Sequence, residues 1–117
     1  MSKRRQKVGS WGEMVAAEYL QEHGYNLIAR NFRTPYGEID IIAEKAGYSI
    51  FIEVKTRTSG SLGPPEISVT PRKQEHMVAA AEYYCQENEI DSWQIDVIAV
   101  EILPGKQPAI THFENAI

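Results

Sequence analysis

Acidic and basic side chains concentrate in two neighbouring segments, Gly37-Glu-Ile-Asp-Ile-Ile-Ala43 and Phe51-Ile-Glu-Val-Lys-Thr-Arg57. Both are β-rich runs, and Ala46-Gly47 between them reads as a two-residue hairpin turn. In that register Lys45 pairs with Tyr48, Asp40 lies opposite Glu53, and Glu38 lies opposite Lys55. Alternation puts Phe51, Glu53, Lys55 and Arg57 on one face and Ile50, Ile52, Val54 and Thr56 on the other. Directly opposed carboxylates, with Cβ atoms ~5 Å apart, repel unless a positive charge sits between them. A divalent ion meets that need, and Mg2+ takes one or two carboxylates while keeping positions for water and phosphate oxygens. The same spacing also suits a solvated hairpin face cross-paired by charge. A three-residue turn with a bulge would shift every pair by one.

The elements around the hairpin follow from pattern. Ser10-Trp-Gly-Glu13 has the form of a capping box, predicting a first helix from about Ser10 to His23 with Gly24 as its left-handed cap. Glu13 then serves as cap, as site residue, or as both. Residues 25–33 read as a strand, followed by the turn-like Thr34-Pro-Tyr-Gly37. Residues 58–66 read as a loop, either a mobile element beside the site or a passive connection. Thr70-Pro71 starts a second helix to about Asn88, with Met77, Ala80, Ala81 and Tyr84 toward the core. Trp93–Leu103 and Pro108–Phe113 are the last strands. The order α-β-β-β-α-β-β predicts one mixed α/β (α+β) domain over residues 1–117, a central mixed sheet flanked by helices. Lys3, Arg4, Arg5 and Lys7 read as a flexible basic arm over residues 1–8, or as plain leader sequence.

The chain of 117 residues has a formal net charge of −4, unevenly spread. Residues 1–73 hold 11 Lys/Arg against 8 Asp/Glu, whereas residues 74–117 hold Lys106 alone against 8 acids. The half that contains the hairpin is the basic half, and a local basic face is what phosphate binding needs. An ordinary solvated surface with uneven charge gives the same count. No apolar run approaches the ~20 residues that cross a bilayer, so no membrane partner is expected. The lone Cys85 cannot form an internal disulfide, and no apolar stretch follows the N-terminal charges. Both point to the cytoplasm.

Taken together, these segments are similar to the PD-(D/E)xK nuclease core, an acid, a gap, and then Glu-x-Lys. The whole chain resembles the YraN family of bacterial restriction-endonuclease-like proteins, itself similar to archaeal Holliday junction resolvases. Gly9, Gly12-Glu13, Gly24-Tyr25, Arg30-Asn31-Phe32-Arg33, Gly37 to Asp40, Glu53 to Arg57, Lys73 and Ile95-Asp96-Val97 fall in the family's order. The resemblance implies a restriction-endonuclease-like core in which Asp40 and Glu53 bind Mg2+ or Mn2+, joined by the Val54 backbone carbonyl. It implies that Lys55 orients or deprotonates the attacking water and stabilises charge on phosphate. Glu13 matches the acid on the first helix that completes the metal site. Ile39 stands where the nominal motif has proline, and Trp93-Gln94 where the family has a basic-aromatic step.

Other residues supply expectations of their own. Arg72 and Lys73 lie in the first turn of the second helix, where cations oppose the helix dipole unless an anion joins them. They are expected to contact phosphate, or else are ordinary solvated residues tolerated at small cost; Arg33, Arg57 and Gln74 are further candidate nucleic-acid contacts. Asp96 sits in an apolar strand and needs a partner, for which Arg30 and Arg33 are options. His23, His76 and His112 show no ligand spacing and are expected at the surface or at helix ends; Cys85 is expected in the core. The reading is a Mg2+- or Mn2+-dependent endonuclease acting on DNA rather than RNA, on branched or repair-related structures, by analogy a homodimer. The alternative is a non-catalytic nucleic-acid-binding or partner-docking module on a nuclease fold.

Overall fold

The structure is a computed structural model that describes residues 3–58 and 69–117, with side chains from Gly9 onward. The elements run α1 (Lys3–Glu22), β1 (Asn26–Thr34), β2 (Gly37–Lys45), β3 (Tyr48–Thr58), α2 (Pro71–Asn88), β4 (Trp93–Ile102) and β5 (Ala109–Phe113). This is the expected order. The 58–66 loop, beyond Thr58 at the end of β3, falls outside the described residues.

The β2–β3 turn sets the register of the sheet's centre. Ala46 and Gly47 take φ of 54° and 83°, the pair of left-handed residues that a tight hairpin with the strand's own twist requires. Lys45 accordingly pairs with Tyr48, and the ladder continues through Glu44/Ser49, Ala43/Ile50 and Ile42/Phe51 to Ile41/Ile52. The five strands lie in sequence order, with β3 and β4 parallel and all other neighbours antiparallel. A parallel pair needs a crossover connection, and α2 supplies it.

Alternation along the central strands divides the core between the sheet's two faces. Ile41, Ala43, Ile50, Ile52, Ile98 and Val100 pack with Ala16, Ala17 and Leu20 of α1, while Ile42, Phe51 and Ile95 pack with Ala80, Ala81 and Cys85 of α2. Fully burying one such aliphatic side chain stabilises the fold by about 1.5–3 kcal/mol. Phe51 also meets Tyr84 and Trp93 edge-on, at 5.6 and 5.9 Å between ring centroids. The expected face assignments of β3 and the buried position of Cys85 hold.

The start of α2 follows the sequence signal. The Thr70 side chain accepts from Lys73 N at 3.2 Å, with Pro71 as the first helical residue. The start of α1 does not follow its signal. The helix extends back to Lys3, so Ser10 lies inside it, the capping box does not form, and the backbone from Lys3 onward is helical rather than a free arm. The run Lys3-Arg-Arg-Gln-Lys7 is rich in helix formers, which favours extending the helix N-terminal of the capping signal. Within the helix, a Cβ at Gly12 would overlap Thr56 Oγ1, so helix backbone rests directly on β3. The far end is as expected, with Gly24 at φ 85° and Tyr25 N donating to Leu20 O at 2.9 Å.

Candidate active site

The recorded β2–β3 pairing ends at Ile41/Ile52, and the site begins there. One residue further along β2, the Asp40 carboxylate takes over from the backbone, its Oδ2 accepting from Val54 N at 2.8 Å. On the other side, β1 pairs Arg30 with Ile41 and Phe32 with Ile39, skipping Asn31 and Asp40, and Asn31 adopts a left-handed φ of 52°. Strict alternation is lost at this point, since Ile39 and Ile42 pack into the same α2-side cluster. The strands therefore fork at Asp40. The β2–β3 ladder does not extend to the expected Glu38/Lys55 pair: Glu38 pairs with Arg33 on β1, and Lys55 with Ala99 on β4.

The fork opens on a cavity of about 70 Å3 between the sheet and α2. Ile39, Phe51, Met77, Ala80 and Ile95 supply apolar walls, and Glu38, Asp40, Glu53, Lys73 and His76 supply polar groups. Asp40 and Glu53 lie within hydrogen-bonding reach of one another. Burial, then the charge of Glu53, raises the Asp40 carboxyl from its ordinary value to about 7; the Val54 N–H opposes this and Glu13 adds to it. A buried acid held against a second carboxylate in this way forms with it a donor pair suited to a cation. Lys73 Nζ already lies 3.6 Å from Glu53 Oε2.

Glu13 approaches from α1 but is held elsewhere. Asn31 Nδ2 donates to Glu13 Oε1 at 2.8 Å and to Glu38 Oε1 at 3.2 Å, and Arg30 lies 3.9 Å from the same Glu13 oxygen. Among the described residues, no three His, Cys, Asp or Glu side chains form a group able to hold an ion by themselves. Asp40 and Glu53 are the two carboxylates that meet at the cavity, a number within the habit of Mg2+.

The remaining expected contacts lie apart from the cavity. Arg57 pairs with Glu101 at 3.4 Å across the β3–β4 ladder, and the highly exposed Arg33 with Glu38 at 3.7 Å. Arg72 is exposed, and the Gln74 amide turns back to Val69 O at 3.0 Å. Of the α2 candidates, only Lys73 lines the cavity. Asn31, with its two carboxylates, was not anticipated as a site residue; its place in the Arg-Asn-Phe-Arg run was the available signal.

Asp96 has partners other than the expected arginines. His112 Nε2 lies 2.7 Å from Asp96 Oδ2, while Gln94 Nε2 and Asn115 N each donate to Oδ1 at 2.9 Å. Tyr19 Oη lies 3.1 Å from His112 Nδ1. His112 is therefore a half-buried bridge between α1, β4 and β5 rather than a surface residue. Strand pairing explains it, because Val97/Phe113 and Ile98/His112 bring the end of β5 alongside the start of β4.

The sequence profile described as "Uncharacterised protein family UPF0102" matches residues 12–100, which include Glu13, Asp40, Glu53, Lys55 and Lys73. The chain belongs to the UPF0102 family. The resemblance to the YraN family drawn from the ordered residues is borne out by this match. A UPF0102 protein of Dehalococcoides mccartyi is 40% identical, covering 100% of this chain and 98% of its own. One from Geobacter metallireducens is 42% identical, covering 99% and 96%. Among solved structures, Pyrococcus furiosus SfsA in complex with Ca2+ is similar at 15% identity and a TM-score of 0.41. That pairing covers 95% of this chain and 63% of the other, so the UPF0102 chain spans less than two thirds of SfsA, and a likeness this low carries no weight for function. No helix among the described residues is long and apolar enough to cross a membrane.

Proposed function

We propose that this UPF0102 protein is a divalent-metal-dependent phosphodiester hydrolase, an endonuclease acting on DNA in the cytoplasm. The observation that carries the reading is the Asp40/Glu53 pair, two acids in mutual contact at the mouth of a half-buried cavity. Such crowding opposes folding unless a cation or a proton relieves it, and a binding module has no need of it. Asp40, Glu53 and the Val54 carbonyl are the groups that would hold Mg2+ or Mn2+. Bound there, the ion would supply Lewis-acid polarisation of a phosphoryl oxygen and a more acidic water.

The chain's own residues account for the rest. Lys55, two residues beyond Glu53 on the same strand, orients the attacking water and stabilises charge developing on the phosphate. The Val54 N–H fixes the Asp40 carboxylate. Lys73 brings a cation to the cavity from α2. Among the described residues no motif of a base-reading helix stands out, so shape and phosphate contacts, on branched or repair-related DNA, suit this surface better than sequence readout. A second copy of the chain would double the cutting centres, as a homodimer does on two strands.

The test is a cleavage panel of single-stranded, duplex and branched DNA with Mg2+ or Mn2+. Wild type should cut at least one substrate, with Asp40→Ala and Lys55→Ala slower by about 100-fold or more. Failure on every substrate, or an Asp40→Ala protein that cuts like wild type, refutes the proposal.

A further inference from the structure

Lys73 enters the site from a different element than the hairpin that carries the acids. The Thr70 cap and Pro71 fix it in the first turn of α2. From there its ammonium reaches within 3.6 Å of Glu53 Oε2, and both residues line the cavity with Asp40. A cation in a helix's first turn opposes the macrodipole, a cost that the Glu53 carboxylate offsets. The two partners differ in freedom: the Glu53 side chain is 14% exposed and that of Lys73 48%. The acid is held by its strand, whereas the amine sits on a flexible four-carbon stem with room to leave.

We infer that Lys73 is the built-in counter-ion of Glu53, a positioning residue that a divalent metal displaces and thereby releases toward phosphate. The inference rests on the metal-binding reading above and adds how the site stays together before the ion arrives. Without an ion, Glu53 shares the cavity with Asp40, and the Lys73 ammonium lies against the Glu53 carboxylate. A divalent ion on the same carboxylates removes the reason for that pairing and repels Lys73. The amine is left in the first turn of α2, where the helix dipole makes an anion the next favourable partner. Metal and phosphate binding are then linked through one side chain, each favouring the other.

Calorimetric titration of the full chain with Mn2+ alone tests the displacement. Lys73→Met should bind Mn2+ roughly two- to fivefold tighter, the range expected for removing a partly exposed competing ion pair. Arg72→Met removes the same charge one residue away without touching Glu53, and should change affinity by less than about twofold. Lys73→Arg, which keeps the charge, should stay near wild type. A purely structural role for Lys73 predicts weaker binding in Lys73→Met, the opposite sign. Equal tightening in Arg72→Met and Lys73→Met would reduce the effect to net charge and overturn the inference.

Fluorescence anisotropy with a labelled single-stranded oligonucleotide tests the release, using Lys55→Ala as background so that the strand stays intact. Mn2+ should strengthen binding in Lys55→Ala and do so less in Lys55→Ala/Lys73→Met; an equal gain in both overturns the release step. The two levels of failure are separable. If Asp40→Asn binds Mn2+ as wild type does, the metal site itself falls. If Asp40→Asn loses binding while Lys73→Met matches wild type, only the role of Lys73 falls.

Discussion

Asp40 accepts a 2.8 Å hydrogen bond from the backbone N–H of Val54 at the place where β2 and β3 stop pairing. A side chain thus closes the last rung of the ladder, and the acid is aimed by the same contact that ends the sheet. Its carboxylate gains one hydrogen bond there but also the company of Glu53.

That company makes the metal-free site a strained one. The Asp40 carboxyl is raised to about 7 by burial and by Glu53, so its ionised form is disfavoured in the folded state. The penalty is absent below the ordinary carboxylate range and grows as pH rises toward about 7. Asp40→Asn keeps an acceptor for Val54 N–H without the charge. It should raise the thermal midpoint at pH 7 by a few degrees, about 1 kcal/mol, in chelator. At pH 4 the gain should vanish. Mn2+ should stabilise wild type and not the variant.

Asp96 predicts the opposite pH dependence. Burial alone would raise its carboxyl, but the hydrogen bonds from His112, Asn115 N–H and Gln94 outweigh burial and hold it below the ordinary range. A lowered folded-state value stabilises the protein above the unfolded-state range, and that stability is lost as pH falls through the folded value. Asp96→Asn should cost about 2–3 kcal/mol at pH 7 in urea unfolding. The difference from wild type should shrink as the pH is lowered below the ordinary carboxylate range. A difference that does not change with pH would mean that the carboxylate's charge plays no part.

The contact of Gly12 with Thr56 sets how closely α1 lies on the sheet. Gly12→Ala should destabilise by about 1–3 kcal/mol, since a Cβ there overlaps the Thr56 hydroxyl. Thr56→Ala should partly rescue it. The rescue is incomplete because the added Cβ would still stand 3.0 Å from Thr56 Cβ. A double-mutant cycle in denaturant measures the coupling.

Asn31 combines a left-handed backbone with two side-chain bonds to acids. Asn31→Gly retains the backbone freedom and loses the bonds, whereas Asn31→Ala loses both. Asn31→Ala should therefore be the less stable variant, by about 1 kcal/mol in urea unfolding. Equal stabilities would show that φ at this position costs nothing.

How far this molecule could be read from its residues depends on the range of the interaction. The Ala46-Gly47 turn acts over a few residues and pins its own register, so the convergence of Asp40 with Glu53 was legible. The Thr70-Pro71 cap is equally local. The partner of Asp96 was not legible, because it depends on the β4–β5 register, set across the turn at Pro104-Gly105 by packing rather than by turn type. The start of α1 differs for a local reason. Ser10-x-x-Glu13 is a good cap, but the helix-favouring run Lys3-Arg-Arg-Gln-Lys7 before it prevails. The fork at Asn31 and Asp40 interrupts alternation, and no periodic pattern announces its own interruption.

The hairpin also acts as a ruler. Rungs from Lys45/Tyr48 to Ile41/Ile52 separate the turn from the acid, and each rung advances both strands by one residue. One residue added within the turn would leave the apolar rungs able to re-pair out of step, with Asp40 facing a different amide and Glu53 on the wrong side of the sheet. What this stretch of chain must preserve is therefore its count. The turn can exchange Ala46 and Gly47 for any pair at ease with left-handed backbone, but it cannot gain or lose a position without taking the site apart.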